Sequence, residues 1–314
     1  MNHRCNPPAP RVSAANIESM KLPRTFLALA LTLLIASVQS ARCGSATTEW
    51  VSLSAWAKKN NFRLSSFKKN EPFALTNKSS KLVFKIDSPR AQINGINVWL
   101  SDPITLRGGQ ACVSSLVLRT SVEPILFPPL KNTNATVWTI CLDPGHGGRD
   151  NGGQVGNFRE KSYTLLLAQE LEKRLRTVGF KVILTRTNDT LVELDDRPAL
   201  ANRVKADLFM SLHFDVAPVG EASGVEVYCL TPANTSSTNA RGQGADTPAL
   251  PGNRQDPQNV VFAYQLQKSL VKNLRAEDRG LRRARFAVLR PTTMPAVLIE
   301  GGFLSDSEER KKNR

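Results

Sequence analysis

An alternation of short apolar runs with helical stripes begins near residue 137 and constrains the fold more than any other feature of the sequence. Apolar runs predict strands at 137–142, 180–185, 208–212, 224–230 and 296–299, and the intervening segments predict helices at 161–178, 194–205 and 259–274. In the first helix, leucines recur every four residues from Leu167 to Leu175, and Gly179 follows as a stop. Strands that alternate with helices are typical of α/β domains with a largely parallel sheet. The sequence therefore predicts an α/β fold for this part of the chain.

Two of the three histidines in the chain follow predicted strands. These are His146 and His213, whereas His3 lies near the start of the sequence. Because the carboxyl ends of parallel strands meet at one edge of a sheet, where ligands bind, both imidazoles are expected at the same edge. A lone histidine at a strand end is more often a hydrogen-bonded surface residue, but two at one edge favour a metal site. Imidazole is a common ligand of zinc, so the pattern predicts a zinc site.

Two glutamates are candidates to complete this site. A catalytic zinc ion takes three protein ligands and keeps a fourth position open for water. Glu160 stands at the start of the first predicted helix, beyond the loop that begins at His146; its alternative role is to stabilise the helix N-terminus. Glu300 follows the last predicted strand and precedes Gly301-Gly302, where the backbone can approach closely. A buried, unpaired carboxylate there would be costly, which favours a functional role for Glu300.

Other common catalytic and binding motifs are absent from the sequence. The glycine-rich stretch 145–153 lacks the Gly-Lys-Ser/Thr ending of a phosphate-binding loop and the spacing of a dinucleotide-binding turn, so nucleotide binding is not predicted. Neither an H-E-x-x-H helix nor a G-x-S-x-G nucleophile turn occurs. Cys141 and Cys229 lie inside predicted strands, where buried, unreactive thiols are expected. Five cysteines in 314 residues are also too few for a disulfide scaffold.

An apolar run at residues 26–38 follows Lys21 and Arg24 and predicts a secretory signal peptide within residues 1–41. The run is too short for a spanning helix, which needs about 20 apolar residues, and the alternative of a buried helix would show polar residues at helical spacing. Met20 is an alternative translation start. Removal of residues 1–41 takes away four basic residues and one acidic residue, which lowers the net charge from +15 to +12. Such a basic protein, periplasmic or secreted, is expected to act on an anionic envelope polymer and not on nucleic acid.

Residues 42–122 are predicted to form a small β-rich accessory domain, followed by a Pro- and Asn-rich linker at 123–136. Asn94-Gly95, between apolar residues, predicts a two-residue hairpin turn, and residues 50–57 predict one short helix. The region contains no histidine and no clustered carboxylates, so a binding or spacer role without chemistry is expected. Its pattern of a V-S-L start, a central I-N-G-I-x-V hairpin and an apolar close resembles the small N-terminal modules related to that of copper amine oxidases.

Four short motifs stand in order between residues 137 and 305 and contain the candidate site residues. They are Asp143-Pro-Gly-His-Gly-Gly-Arg-Asp150, Arg159-Glu160-Lys161, Ala206-Asp-Leu-Phe-Met-Ser-Leu-His-Phe-Asp215 and Ile299-Glu-Gly-Gly-Phe-Leu-Ser305. Together they resemble the zinc-dependent N-acetylmuramoyl-L-alanine amidases of the cell-wall hydrolase type. The resemblance implies a catalytic domain over 137–314, with a twisted sheet flanked by helices. It also implies one zinc ion bound by His146, Glu160 and His213, with Glu300 as the catalytic carboxylate. The implied substrate is peptidoglycan, cut at the amide between the lactyl group of N-acetylmuramic acid and L-alanine.

Three features depart from the pattern of this family. Phe214 stands where a small residue usually follows the histidine, and Gly301 stands where many members have threonine. A reshaped wall beside His213 is therefore expected. The chain also stops at Arg314, just after residues 305–310 begin what resembles a closing helix.

Two further expectations concern the surroundings of the site. Asp215 or Asp143 is expected to orient a ligand imidazole by a hydrogen bond. The polar segment 231–258 is expected to form a mobile rim of the substrate cleft, with plain disorder as the alternative.

Two other functions remain open from the sequence. A wall-binding protein without catalysis would share this fold, although the presence of every motif residue argues against it. A zinc peptidase would cut bonds within the stem peptide instead of the amide that joins it to the sugar. In each case peptidoglycan is the expected partner, and no membrane span is expected after signal removal.

Overall fold

The structure, a computed structural model, describes residues 49–66, 68, 70–128, 137–218, 220–239 and 247–312. The predicted signal peptide and residues 129–136 of the predicted linker lie outside these described residues. Across the described ranges, no helix combines the length and the apolar character that crossing a membrane requires.

The N-terminal part of the described chain is rich in strands. It contains β1 (Trp50–Ser52), α1 (Leu53–Lys59), β2 (Arg63–Leu64), β3 (Phe73–Thr76), β4 (Lys81–Phe84), β5 (Arg90–Ile93), β6 (Ile96–Trp99), β7 (Thr105–Arg107), β8 (Gln110–Ser114), α2 (Ser115–Val117), a π-helical turn (Leu118–Val122) and α3 (Glu123–Leu126). The predicted hairpin is confirmed, since β5 and β6 pair across Asn94-Gly95. The helix predicted at 50–57 begins at Leu53, because Trp50–Ser52 pair with β8 as a strand.

The second part alternates strands and helices as the sequence predicts. It contains β9 (Thr139–Pro144), β10 (Gln154–Val155), β11 (Phe158–Arg159), α4 (Glu160–Thr177), β12 (Lys181–Leu184), α5 (Asp196–Arg203), β13 (Leu208–Asp215), β14 (Val225–Leu230), a 3-10 turn (Pro251–Gln255), α6 (Asp256–Leu274), β15 (Asp278–Ala284), β16 (Ala296–Phe303) and α7 (Ser307–Lys312). Strand β15 was not predicted, because its basic sequence shows no apolar run.

One eleven-stranded sheet organises the protein, in the order β12-β9-β13-β16-β14-β15-β6-β5-β4-β3-β2. Strands β12, β9, β13 and β16 are parallel, which confirms the predicted α/β fold and places the carboxyl ends of β9, β13 and β16 at one edge. Strand β14 is antiparallel to β16, and β15 is parallel to β14, so the sheet as a whole is mixed.

Successive side chains of the central strands project to opposite faces of the sheet, and different helices cover the two faces. Ile299 lies on the face covered by α4 and α6, in a core with Leu175 of the predicted leucine stripe. Leu298 lies on the other face, with Ala201 of α5 and apolar residues of the segment between β15 and β16. Near the carboxyl end of β16, this second face carries polar residues instead.

The N-terminal module continues the sheet beyond β15. Val98 of β6 is the register partner of Leu281 of β15, and Asn97 donates from its backbone and side-chain nitrogens to Asp278 at 2.7 Å each. The indole of Trp99 donates to the Arg279 carbonyl at 2.8 Å. The segment predicted as a linker begins with α3, which packs against α6. The module is therefore joined to the second part of the chain by strand pairing.

The expectation that residues 231–258 form a rim of the substrate cleft is wrong for the described parts of that segment. Because β14 is antiparallel to β16, its carboxyl end lies at the edge opposite the one reached by His146 and His213. The segment contacts that opposite edge, where Gln255 donates to the Thr293 carbonyl at 3.2 Å.

Candidate metal centre

The loop after β9 presents His146 to the carboxyl edge of the sheet. His146 has a left-handed backbone with φ of 60°, and two buried arginines hold the carbonyl groups beside it. Arg186 donates to the carbonyls of Pro144 and Gly145 at 2.9 and 2.7 Å, and Arg197 donates to the His146 carbonyl at 3.0 Å. These bonds satisfy the carbonyl groups of residues 144–146, so two buried cations from other parts of the chain fix the backbone of this loop.

Glu160, the first residue of α4, lies between the two histidines. Its Oε2 is 3.0 Å from His146 Nε2, and its Oε1 is 2.8 Å from His213 Nδ1. The backbone N–H groups of Gly153 and Phe214 also donate to its two oxygens, at 2.7 and 3.1 Å. Burial alone would raise the pKa of Glu160, but the hydrogen bonds from the imidazoles lower it well below its usual range. The buried carboxylate is therefore ionised.

The three side chains form a donor set that fits a zinc ion. One ligand atom from each of His146, Glu160 and His213 lies within 4.8 Å of the others. Two nitrogens and one carboxylate oxygen are a donor set of catalytic zinc sites. The neighbouring glycines leave this space free, because a Cβ at Gly145 would lie 2.3 Å from His213 Cε1 and one at Gly152 would lie 2.5 Å from Glu160 Oε2. The predicted candidates are thus brought together, and the residues present fit the metal.

Glu300 lies on the strand next to His213. The two residues are register partners on β16 and β13, and Glu226 of β14 is the partner of Glu300 on its other side. Among the described residues, the buried Oε2 atom of Glu300 has no hydrogen-bond partner. Burial, followed by the nearby charges of Asp215, Glu160 and Glu226, raises the pKa of Glu300 well above its usual range. A carboxyl with one buried, unpartnered oxygen therefore lies beside the donor set and is available for proton transfer.

Asp150, and not Asp143 or Asp215, contacts the imidazole of His146 on the ring nitrogen that faces away from Glu160. Asp150 Oδ2 lies 2.8 Å from His146 Nδ1. The buried Asp143 instead accepts hydrogen bonds from Arg197, Thr185 and Ser211, at distances of 2.9, 2.6 and 2.7 Å in that order. Within the described ranges, no hydrogen bond joins Asp215 to an imidazole. The sequence offered one usable signal for Asp150, its position four residues after His146 in the glycine-rich motif.

The two unusual residues beside the site contact each other. A Cβ at Gly301 would lie 3.0 Å from Cε1 of the Phe214 ring. Phe214 is buried with Tyr163 and Leu304, and its ring centroid lies 6.1 Å from that of Tyr163. The absence of a side chain at Gly301 therefore accommodates the large side chain at Phe214, which packs against Tyr163 and Leu304. The reshaped wall beside His213 stays a prediction.

Comparison with known proteins points to one family. Residues 140–314 match the family described as N-acetylmuramoyl-L-alanine amidase. LytH of Staphylococcus epidermidis, a probable cell wall amidase, is 36% identical over 171 residues, which cover 54% of this chain and 48% of that protein. The N-acetylmuramoyl-L-alanine amidase LytC of Bacillus subtilis is 32% identical over 174 residues, covering 55% of this chain and 31% of that protein. The crystal structure of N-acetylmuramoyl-L-alanine amidase from Clostridium difficile 630 is 31% identical, with 57% of this chain and 87% of that chain covered and a TM-score of 0.46. This chain spans about half or less of the length of these two curated relatives.

Proposed function

This chain belongs to the N-acetylmuramoyl-L-alanine amidase family, and from that premise we propose that it is an exported zinc amidase. It hydrolyses the amide that joins the lactyl group of N-acetylmuramic acid to L-alanine in peptidoglycan. The observation that carries this proposal is the convergence of His146, Glu160 and His213 within 4.8 Å, with Glu300 on the neighbouring strand.

In this proposal His146, Glu160 and His213 hold one zinc ion. A bound zinc ion supplies Lewis acidity, which polarises an amide carbonyl and acidifies water at neutral pH. Asp150 fixes the tautomer of His146 through its contact with Nδ1, so that Nε2, which faces Glu160, would be the nitrogen available to a metal. The anionic Glu160 provides the one negative charge of the donor set.

Glu300 moves the proton. It takes a proton from the attacking water and delivers it to the departing amine nitrogen, so one carboxyl acts first as base and then as acid. A pKa above the usual range suits the second step, because the carboxyl then holds its proton at a pH where an ordinary glutamate does not. The unpartnered Oε2 atom leaves the group free to do so.

The test is hydrolysis of purified peptidoglycan with fragment analysis by mass spectrometry. We expect free stem peptides that begin with L-alanine, loss of hydrolysis after chelation, and recovery when zinc is added back. The variant Glu300→Gln should lose at least about 100-fold in kcat, a typical contribution of general acid–base catalysis. It should keep stoichiometric zinc, whereas the matched control Glu170→Gln, on the exposed side of α4, should behave as the wild type.

Two outcomes would contradict the proposal. Shortened stem peptides would identify a zinc peptidase, and chelator-insensitive binding without new amine ends would identify a wall-binding protein. Loss of zinc in Glu300→Gln would make Glu300 a ligand and would require different roles for the four residues.

A further inference from the structure

A second group of polar residues lies on the same sheet face as Glu300 and leads away from the metal centre. Glu226 is the register partner of Glu300, and two residues further along β14, Tyr228 is the partner of Arg282 on β15. Directly opposed residues in a sheet project from the same face. The next strand is β6 of the N-terminal module, where the guanidinium of Arg282 stacks over the ring of Trp99 at 4.5 Å. One face therefore runs from the metal centre onto the accessory module.

Two arginines in this group face one glutamate, and Asp215 is a further acidic neighbour of Arg279 and Glu226. The buried Glu226 is paired with both Arg282 and Arg279, whose Nε atoms lie 2.8 and 3.2 Å from its Oε2. Its other oxygen accepts a hydrogen bond from the Tyr228 hydroxyl at 2.6 Å. One carboxylate thus faces two guanidinium groups, and the arginine side chains remain 17% and 26% exposed. No hydrogen bond from the terminal nitrogens of Arg282 is recorded within the part of the chain that the structure describes.

The distance to the metal centre matches a short peptide. Three strand steps, β13 to β16 to β14 to β15, separate His213 from Arg282, and each step is about 4.8 Å, so the strands are about 14 Å apart. Arg282 also lies two residues beyond Gly280, the register partner of Glu226, or about 7 Å along the strand, so the separation is about 16 Å. An extended peptide advances about 3.3–3.6 Å per residue. Arg282 therefore lies roughly four to five extended residues from an amide held at the metal centre.

We propose that Arg282, supported by Arg279, binds the C-terminal carboxylate of the stem peptide about four residues beyond the scissile amide. This inference rests on the proposed function and deepens it. Arg282 presents planar guanidinium donors that suit a carboxylate, and Glu226 and Trp99 hold the guanidinium on its two sides. The accessory module thereby contributes to substrate recognition through Trp99.

Two substrates that differ in one group test this proposal. They are N-acetylmuramoyl-L-Ala-D-Glu-L-Lys-D-Ala with a free C-terminal carboxylate and the same compound with a C-terminal amide. The wild type should show a KM about tenfold lower for the acid than for the amide, equivalent to about 1.4 kcal/mol. Arg282→Gln should raise the KM for the acid about tenfold more than the KM for the amide, so that the preference for the acid is lost.

Two further variants separate recognition from folding. Arg282→Lys keeps the charge but not the planar donors, so it should retain part of the preference for the acid. Trp99→Leu removes the stacking ring and should reduce the preference about two- to threefold. The matched control Arg63→Gln, at the exposed far end of the sheet, should leave the preference unchanged.

The proposal is overturned if the wild type has the same KM for the acid and the amide. It is also overturned if Arg282→Gln raises both KM values equally, since an equal loss indicates a structural role. Calorimetric titration with the two tetrapeptide compounds gives a readout that does not need turnover. If neither compound is hydrolysed, the proposed function fails, and a binding preference for the acid that Arg282→Gln abolishes still supports the carboxylate site. Equal binding of the two compounds overturns it.

Discussion

Replacing Gly152 with alanine tests whether the loop after β9 is shaped around the proposed metal ligands. Gly152 has φ of +65°, and a Cβ there would lie 2.5 Å from both Glu160 Oε2 and His146 Cδ2. Non-bonded carbon atoms prefer a separation of about 3.5–4.0 Å, so a ligand side chain has to move by about 1 Å. Glu160 has little freedom to do so, because backbone N–H groups hold both of its oxygens. We expect the zinc affinity of Gly152→Ala to fall 10- to 100-fold, or by about 1.4–2.8 kcal/mol.

Gly156→Ala is a matched control for this variant. Gly156 has a similar φ of +56°, but a Cβ there would meet no atom within 4 Å. Alanine in the left-handed region costs roughly 1–2 kcal/mol at either position, and the overlap adds about 1–3 kcal/mol at Gly152 alone, so Gly152→Ala should lose the larger free energy of unfolding in urea. Zinc affinity, measured by competition with a chromophoric chelator, should fall in Gly152→Ala alone. Wild-type affinity in Gly152→Ala, or an equal loss in Gly156→Ala, would refute the reasoning.

Three further predictions follow from contacts in and around the site. Gly301→Thr should lower the free energy of unfolding by about 1–3 kcal/mol through overlap with Phe214, and Phe214→Ala in the same chain should relieve that overlap; additive losses in a double-mutant cycle would contradict the contact. Asp150→Asn should weaken zinc binding at least about tenfold in the same competition assay, because His146 loses its charged partner, and unchanged affinity would exclude that role. Burial raises the pKa of Asp256 from 3.8 to about 6, so the folded state binds its proton more tightly than the unfolded chain does. The free energy of unfolding should therefore fall by up to about 3 kcal/mol as the pH rises from 4 to 7, and denaturation of Asp256→Asn over that range should lack this slope.

The parallel strands and their terminal residues could be predicted because their signal is local. Strands buried on both faces appear as continuous apolar runs, and β9, β13 and β16 each show one. Because these strands run in the same direction, the residues that follow them lie at the same edge of the sheet. This placement can be predicted without knowing which strands are neighbours. His146, His213 and Glu300 were found in this way, and Glu160 was found from its place at the start of α4.

The direction of β14 could not be predicted, since an apolar run is the same in a parallel and an antiparallel strand. The sequence predicted a largely parallel sheet without identifying β14 as antiparallel, and residues 231–258 were wrongly expected at the cleft. Asp150 was overlooked for a different reason. Hydrogen bonds to an imidazole depend on the path of the loop, and the left-handed backbone at His146 determines that path.

Strand β15 was missed because its arginines have partners only in the assembled sheet. Arg279 and Arg282 pair with Glu226 of β14, and the fully buried Arg283 donates to the carbonyls of Leu230 and Thr120. A buried cation is costly without such partners, so a strand of this composition is stable between β14 and the N-terminal module but not alone. The register pairing with β6 also covers an edge that would otherwise expose unpaired backbone groups. The predicted linker therefore separates the N-terminal module from the second part of the chain in sequence. The stability of β15 nevertheless depends on contacts with both of these parts.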